Sequence, residues 1–234
     1  MTEQEIIEMI KENPFFIMEV ENPSEEVQLA ATKERYFLFQ YIKNPTEKVK
    51  MFAVSHFGDL IQYIDNPSEE LQLAAVKNDG YAIKYVVNQT KELQLAAVKN
   101  IPNALRYIDN PTEEAVLVAI EKDPYAILHL SSLSKKVQVA LGVPTEIDIH
   151  STEVTEEEML KLVNINPYLL KFLINPSIKV QLKAIKKDPF SIECLENPDE
   201  LVQIVALDTS PEVIGHIKNP CEMVLKILNG EDLI

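Results

Sequence analysis

The sequence predicts an all-α protein, an alpha-alpha solenoid of about ten short two-helix repeats. Seven Asn-Pro pairs, the first at Asn22-Pro23 and the last at Asn219-Pro220, are spaced by 22 residues or close to a multiple of it. Thirteen of the 14 prolines fall in two columns of this frame, at positions 1 and 14 when the Asn is position 0. Apolar residues recur in fixed columns of the same frame, as expected for repeats that stack on one another.

The first helix of each repeat is predicted to run from position 1 to about position 12. Proline is tolerated at the first helical position, and the Asn before it can cap the helix. Segments such as Asn22-Pro23-Ser24-Glu25 resemble capping boxes, with Asn as the cap and Glu at the third helical position. Alanine fills position 9 and allows close approach of neighbouring helices: Ala31, Ala53, Ala75, Ala97, Ala119, Ala184 and Ala206.

The second helix of each repeat is predicted to be shorter. Apolar residues at positions 17 and 20 share one helical face. The helix ends before the next Asn-Pro, because a residue before proline avoids the helical region. The caps of this helix are predicted at position 13, where five repeats carry Asn or Asp followed by Pro or Gly: Asn13, Asp79, Asp123, Asn166 and Asp188.

The repeats are predicted to form one continuous array with an interruption. Residues 1–142 hold the N-terminal repeats, 143–155 are irregular, and 156–234 hold the C-terminal repeats and a capping helix near Asn219–Ile234. Gly142 replaces the apolar residue of position 10. Ile147 and Ile149 alternate with polar residues, which favours a short extended piece.

Composition argues against several functions. The charge is 22 − 37 = −15, so phosphate repels the chain and nucleic-acid binding is not expected. The two cysteines form no C-x-x-C pair, which favours a reducing compartment without structural zinc. No apolar run approaches the ~20 residues of a membrane span, and the acidic amino terminus does not resemble a signal peptide. We therefore expect a cytoplasmic protein that does not bind membranes.

Chemical motifs are equally sparse. The sequence contains no P-loop, nucleophile elbow or H-E-x-x-H motif, so no catalytic residue, metal site or cofactor is predicted. One alternative places a metal or an enzymatic site in 143–155, where His150 lies near Glu146 and Asp148.

Three repeated columns are candidates for binding a partner. Tyrosine at position 19 offers a large apolar body with a polar tip, although it can equally pack between repeats. Glutamine at position 6 either faces a partner or forms a ladder between repeats. Acids in the first helical turn either complement the helix dipole or form an acidic edge for a basic partner. The candidate residues are Tyr41, Tyr63, Tyr85, Tyr107, Gln28, Gln72, Gln94, Glu69, Glu70, Glu113 and Glu114.

The repeat consensus is seen best in Leu73–Gly80, which reads LAAVKNDG, and in part in Leu95–Lys99. It resembles short helical repeats with an LAAVK-x-x-G motif in bacterial and bacteriophage proteins, and in outline HEAT-like and leucine-rich-variant repeats. This resemblance implies a repeat architecture without common catalytic residues.

We therefore expect a non-enzymatic scaffold that binds a protein with a basic patch. In the version that the resemblance suggests, a phage-encoded inhibitor or decoy blocks a host defence or nucleic-acid-handling protein in the host cytoplasm. A nucleic-acid-binding HEAT-like protein, and an enzyme that uses 143–155, are the alternatives.

Overall fold

The computed structural model describes residues 1–230, in which eleven α-helices and nine 3₁₀-helices occur and no strand is present. Nearly every repeat contributes one α-helix followed by one 3₁₀-helix, which confirms the predicted fold class. The α-helices are α1 (Glu3–Glu12), α2 (Glu25–Glu34), α3 (Glu47–His56), α4 (Glu69–Asn78), α5 (Lys91–Asn100), α6 (Glu113–Lys122), α7 (Lys135–Ala140), α8 (Glu156–Ile165), α9 (Ile178–Lys187), α10 (Glu200–Thr209) and α11 (Glu222–Leu228). The 3₁₀-helices are η1 (Pro14–Glu19), η2 (Tyr36–Tyr41), η3 (Gly58–Tyr63), η4 (Gly80–Tyr85), η5 (Pro102–Tyr107), η6 (Pro124–His129), η7 (Pro167–Phe172), η8 (Pro189–Cys194) and η9 (Pro211–His216).

The chain divides into two compact units, Met1–Lys122 (the N-terminal unit) and Asp123–Ile234 (the C-terminal unit). In the N-terminal unit α1 to α6 pack against one another in order. In the C-terminal unit α8 packs on α9 and α9 packs on α10, while η6 to η9 also pack in order. The last four residues of the predicted capping helix, 231–234, lie outside the described residues. No described helix combines the length and apolar character that crossing a membrane requires.

The α-helices begin two residues later than predicted, and the predicted Asn capping boxes are wrong. Ser24 is the cap of α2 and accepts a hydrogen bond from the backbone N–H of Val27, so Glu25 is the first helical residue. A hydroxyl at position 2 has the short reach that a cap needs. The asparagines instead turn the chain in the left-handed region, which Asn tolerates better than most residues. Their φ angles of 48–52° occur at Asn22, Asn44, Asn66, Asn175 and Asn219.

The caps predicted at position 13 are confirmed, but the helices they start are 3₁₀ rather than α. The side chains of Asp79 and Asp188 each accept a hydrogen bond from the backbone N–H two residues later. Asn13, Asp123 and Asn166 do the same. A 3₁₀-helix rises about 2.0 Å per residue, so six residues span about 12 Å. That nearly matches the ~15 Å of the ten-residue α-helix beside it, which lets a short segment return along the repeat.

Alanine and valine columns form the core, as predicted. In the third repeat Val49, Ala53 and Val54 have no exposed surface, and Ile61 of η3 covers them with 2% of its own surface exposed. The alanines of position 9 are buried in the repeats where they occur: Ala31, Ala53, Ala75, Ala97, Ala119, Ala184 and Ala206. Their small size lets neighbouring α-helices approach closely.

Asparagines at position 12 join two repeats of the N-terminal unit to the repeat before them. Asn78 donates to the carbonyl of Ser55 at 2.9 Å, and its Oδ1 accepts from the backbone N–H of Gly58 at 2.8 Å. Asn100 repeats both contacts with Lys77 and Gly80 one repeat later. The last turn of one α-helix and the first turn of its 3₁₀-helix are thus completed by the next repeat.

Between α7 and α8 the chain forms turns rather than the short extended piece that the sequence favours. Helix α7 has only six residues and ends before Gly142, whose φ is +83°. No helix occurs between α7 and α8, and the segment is held by buried apolar side chains, including Ile147 and Ile149 with 5% and 0% of their surface exposed. Because the seventh repeat lacks a 3₁₀-helix, η6 packs directly against η7.

Candidate functional site

The tyrosine column divides into two exposed and two packed side chains. Tyr41 and Tyr63 keep 47% and 46% of their surface exposed. Tyr85 and Tyr107 are half-buried, and Tyr81 meets the ring of Tyr107 edge to face with centroids 5.7 Å apart. Of the four tyrosines, the first two therefore present nearly half of their surface to a partner.

Tyr41 lines an open cleft of about 470 Å³ between the first two repeats of the N-terminal unit. Glu19, Glu21 and Lys43 line the same cleft. Two carboxylates outweigh one ammonium group there, so the cleft suits a basic side chain better than an acidic one.

The first turns of α2 to α6 form an edge rich in carboxylates, called the acidic edge below. Glu25 accepts hydrogen bonds from Thr46 Oγ1 at 2.7 Å and from Lys48 Nζ at 2.9 Å, and both lower its pKa. Glu69 and Glu70 are exposed, and no ion pair found among residues 1–230 involves either of them. The acidic edge therefore keeps uncompensated charge at α4.

At α6 the acidic edge is partly neutralised. Glu114 pairs with Lys91 of the preceding repeat at 2.5 Å, and Glu113 is half-buried in the first turn. Of the four predicted acidic residues, Glu69 and Glu70 are thus the two whose charge is directed to solvent.

The glutamine column lies between repeats and not on an exposed face. Gln28 and Gln94 are buried, with 4% and 5% of their surface exposed. Gln94 Nε2 donates to the carbonyls of Gln89 and Asn110, and its Oε1 accepts from Thr112 N–H at 2.8 Å. Their polar groups are therefore occupied within the protein and do not face a partner.

Gln72 occupies the same column but is only half-buried. Its Nε2 donates to the carbonyl of Pro67 at 2.7 Å. The structure thus favours the ladder interpretation at Gln28 and Gln94, which bridge to the next repeat, whereas the hydrogen bond of Gln72 stays within its own repeat.

Helices α4 and α5 border an open, mainly apolar groove of about 700 Å³. Leu73, Leu95 and Ala96 form its floor, and Lys77 and Lys99 lie at the rim. Both leucines are half-buried, so part of each side chain remains available for contact. Position 7 is apolar throughout the repeats, which is typical of a core position, so the sequence pattern did not indicate this groove.

A strip of exposed aromatic side chains crosses the first three repeats. Phe15 and Phe37 have ring centroids 5.8 Å apart, and Tyr36 stacks on Phe57 at 3.9 Å. Phe15, Tyr36 and Phe57 expose 52%, 44% and 37% of their surface. Aromatic residues are enriched at protein interfaces. Aromatic residues recur at positions 13 to 15 of these three repeats, but the sequence pattern at those positions was interpreted only as the start of the second helix.

The C-terminal unit contains a polar pocket of about 630 Å³ lined by side chains from η6 to η9. Glu193 accepts a hydrogen bond from Tyr125 Oη and pairs with Nδ1 of His216. Lys171 lines the pocket and donates to the carbonyl of Leu130 at 2.8 Å. Because η6 packs directly on η7, residues that are far apart in the sequence, such as Tyr125 and Glu193, come into contact.

The Cys194 thiol and the Tyr125 phenol of this pocket are not poised to act as nucleophiles. Burial raises the pKa of Cys194 to about 12, so the thiol is protonated at neutral pH. Burial, followed by the hydrogen bond to Glu193, also raises the pKa of Tyr125. Both acids thus hold their protons under ordinary conditions.

The irregular segment does not gather a constellation of ligands. Asp148 Oδ1 accepts from the backbone N–H of His150 at 3.2 Å, and the ring of His150 packs edge to face on Phe172. Among residues 1–230, no group of three or more His, Cys, Asp or Glu side chains is arranged to hold a metal ion.

Residues 68–112 match a family described as a domain of unknown function (DUF4116). No curated protein matches the chain, and no solved structure does.

The DUF4116 match spans α4, η4, α5 and η5, which are two whole repeats of the N-terminal unit. It includes Glu69 and Glu70 of the acidic edge and every residue that lines the α4–α5 groove. The segment with the most regular repeat consensus is therefore also the one that carries these two surfaces.

Proposed function

We propose that the protein is a non-enzymatic repeat scaffold that binds a basic protein through the acidic edge of its N-terminal unit. The observation that carries the proposal is the uncompensated pair Glu69 and Glu70, on a unit that also exposes Tyr41 and Tyr63. Exposed carboxylates attract a basic surface and accelerate its association. Tyrosines supply contact area with few rotatable bonds.

The resemblance to LAAVK-x-x-G repeats of bacterial and bacteriophage proteins makes one version of this proposal specific. In that version the protein is an inhibitor or decoy, and its partner is a host defence or nucleic-acid-handling protein in the cytoplasm. Such partners carry basic surfaces for phosphate, which the acidic edge would occupy.

The test starts from affinity capture with the immobilised protein, followed by purification of the captured partner. We expect the double variant Glu69→Lys/Glu70→Lys to weaken binding of the purified partner about tenfold or more, because it converts attraction into repulsion. The matched control is Glu200→Lys, an exposed first-turn position of α10 in the C-terminal unit. Added salt is expected to weaken wild-type binding.

Two results would contradict this proposal. One is a purified partner whose affinity is the same for the wild type and the Glu69/Glu70 variant. The other is a salt-dependent gel shift with duplex DNA in the absence of any protein partner, which would favour the nucleic-acid alternative.

A further inference from the structure

The groove between α4 and α5 has the composition of a docking site for a helix. Leu73 and Leu95 form a floor that is only half-buried, and the small side chain of Ala96 leaves the groove unfilled. An amphipathic helix places apolar side chains at i, i+3, i+4 and i+7, and this ridge fits a groove between two helices. The ten residues of α4 and α5 give the groove a length of about 15 Å, or nearly three turns of a partner helix.

The charges at the groove identify the chemistry of its occupant. Lys91 is already neutralised by Glu114, at 2.5 Å. Lys77 and Lys99, at the C-terminal ends of α4 and α5, are exposed and take part in no ion pair found among residues 1–230. Glu92 lies at the other end of α5. The end of the groove at Lys77 and Lys99 is therefore complementary to negative charge.

We propose that this groove binds an amphipathic α-helix of a partner protein, with apolar side chains against Leu73 and Leu95 and acidic side chains gathered over Lys77 and Lys99. Apolar contact supplies most of the affinity, because the floor is the part of the groove that loses water on binding. The acidic residues select the partner and its register, since rim charges contribute to specificity more than to affinity.

This inference does not depend on the acidic edge. The acidic edge is proposed to bind a basic surface, whereas the groove is proposed to bind the acidic end of a helix. The variants that test the two sites are different, so either site can fail while the other stands.

The experiment uses the full chain and two labelled, alanine-rich peptides about 18 residues long, a length at which isolated helices begin to be stable. Both carry leucine at i, i+3, i+4 and i+7. One has three Glu at one end, and the other has Gln at the same places. Fluorescence anisotropy is expected to show about tenfold weaker binding of the Glu peptide to Lys77→Glu/Lys99→Glu than to the wild type, with little change for the Gln peptide. Lys186→Glu, at the same repeat position of α9, is the control and is expected to leave both affinities unchanged.

A second variant tests the floor. Leu95→Asp is expected to abolish binding of both peptides, and far-UV circular dichroism verifies that the variant is folded. Equal losses for the Glu and Gln peptides in Lys77→Glu/Lys99→Glu would overturn the charge assignment, and so would failure of either peptide to bind the wild type. Self-association of the wild type that Leu95→Asp removes, measured by analytical ultracentrifugation, would show that a second copy occupies the groove and would also overturn the proposal.

Discussion

Replacing Gln94 by alanine is expected to destabilise the N-terminal unit far more than the same change at Gln72, one repeat earlier. The Gln94 side chain makes three hydrogen bonds to backbone groups of its own and the next repeat, at 3.0, 3.2 and 2.8 Å. Gln72 makes one, to Pro67 at 2.7 Å, and is half-buried. The two positions are equivalent in the repeat, so the comparison isolates the contacts.

The magnitude follows from the groups left without partners. Each lost hydrogen bond to a buried backbone group costs about 1 kcal/mol, which gives about 3 kcal/mol for Gln94→Ala and about 1 kcal/mol for Gln72→Ala. A difference of about 2 kcal/mol corresponds to roughly 4–8 °C in Tm for a chain of this size. The Thr112 amide proton loses its one acceptor in Gln94→Ala only, and the loss of about 1 kcal/mol corresponds to about fivefold faster local exchange.

Urea titration followed by far-UV circular dichroism measures the first quantity, and hydrogen exchange followed by NMR measures the second. Equal free energies of unfolding for the two variants would refute the reasoning. So would unchanged protection of the Thr112 amide in Gln94→Ala, because the bridge to α6 would then have no energetic role.

Three further predictions concern backbone fit, capping and pH. Gly80→Ala is expected to cost about 2 kcal/mol or more in urea unfolding, because the new Cβ would lie 2.6 Å from the carbonyl oxygen of Ala97. Thr46→Ala is expected to cost about 1–2 kcal/mol in the same assay, through loss of the α3 cap. Hydrogen bonds from Thr46 and then Lys48 lower the pKa of Glu25 below its ordinary 4.5. The stabilisation that the Glu25 carboxylate gives the folded state is therefore present above pH 4.5 and is lost as the pH falls through the lower, folded-state pKa. Glu25→Gln should therefore show a smaller drop in urea midpoint between pH 7 and pH 3 than the wild type, and an equal drop would contradict this assignment.

The repeat and its core were predictable because both arise from local, periodic patterns. Proline columns marked the boundaries of the repeat, and the alanines at position 9 marked the closest contact between helices. The caps at Asp79 and Asp188 were predictable for the same reason, since an Asx cap acts only two residues away. The helix starts were misplaced because Asn-Pro and Ser-Glu or Thr-Glu offer competing caps two residues apart, and the hydroxyl prevails at Ser24.

The candidate surfaces were less predictable because they depend on contacts between repeats. Tyr41 and Tyr107 both occupy position 19, yet Tyr41 is exposed and Tyr107 is packed. The difference arises because the ring of Tyr107 contacts Tyr81 of the preceding repeat. The pocket in the C-terminal unit depends on Tyr125 and Glu193, which are 68 residues apart. No periodic pattern encodes that approach, which follows from the missing 3₁₀-helix of the seventh repeat.

The position-12 contacts make the array directional. Asn78 and Asn100 reach only backwards, to Ser55 and Lys77, so a repeat receives its missing partners from its successor and never from its predecessor through this residue. For these contacts truncation is asymmetric. Removing repeats from the carboxyl side strips the position-12 partners from the last repeat that remains. Removing repeats from the amino side leaves those contacts intact and instead takes away glutamine acceptors, such as the one that Gln94 offers to the Thr112 N–H.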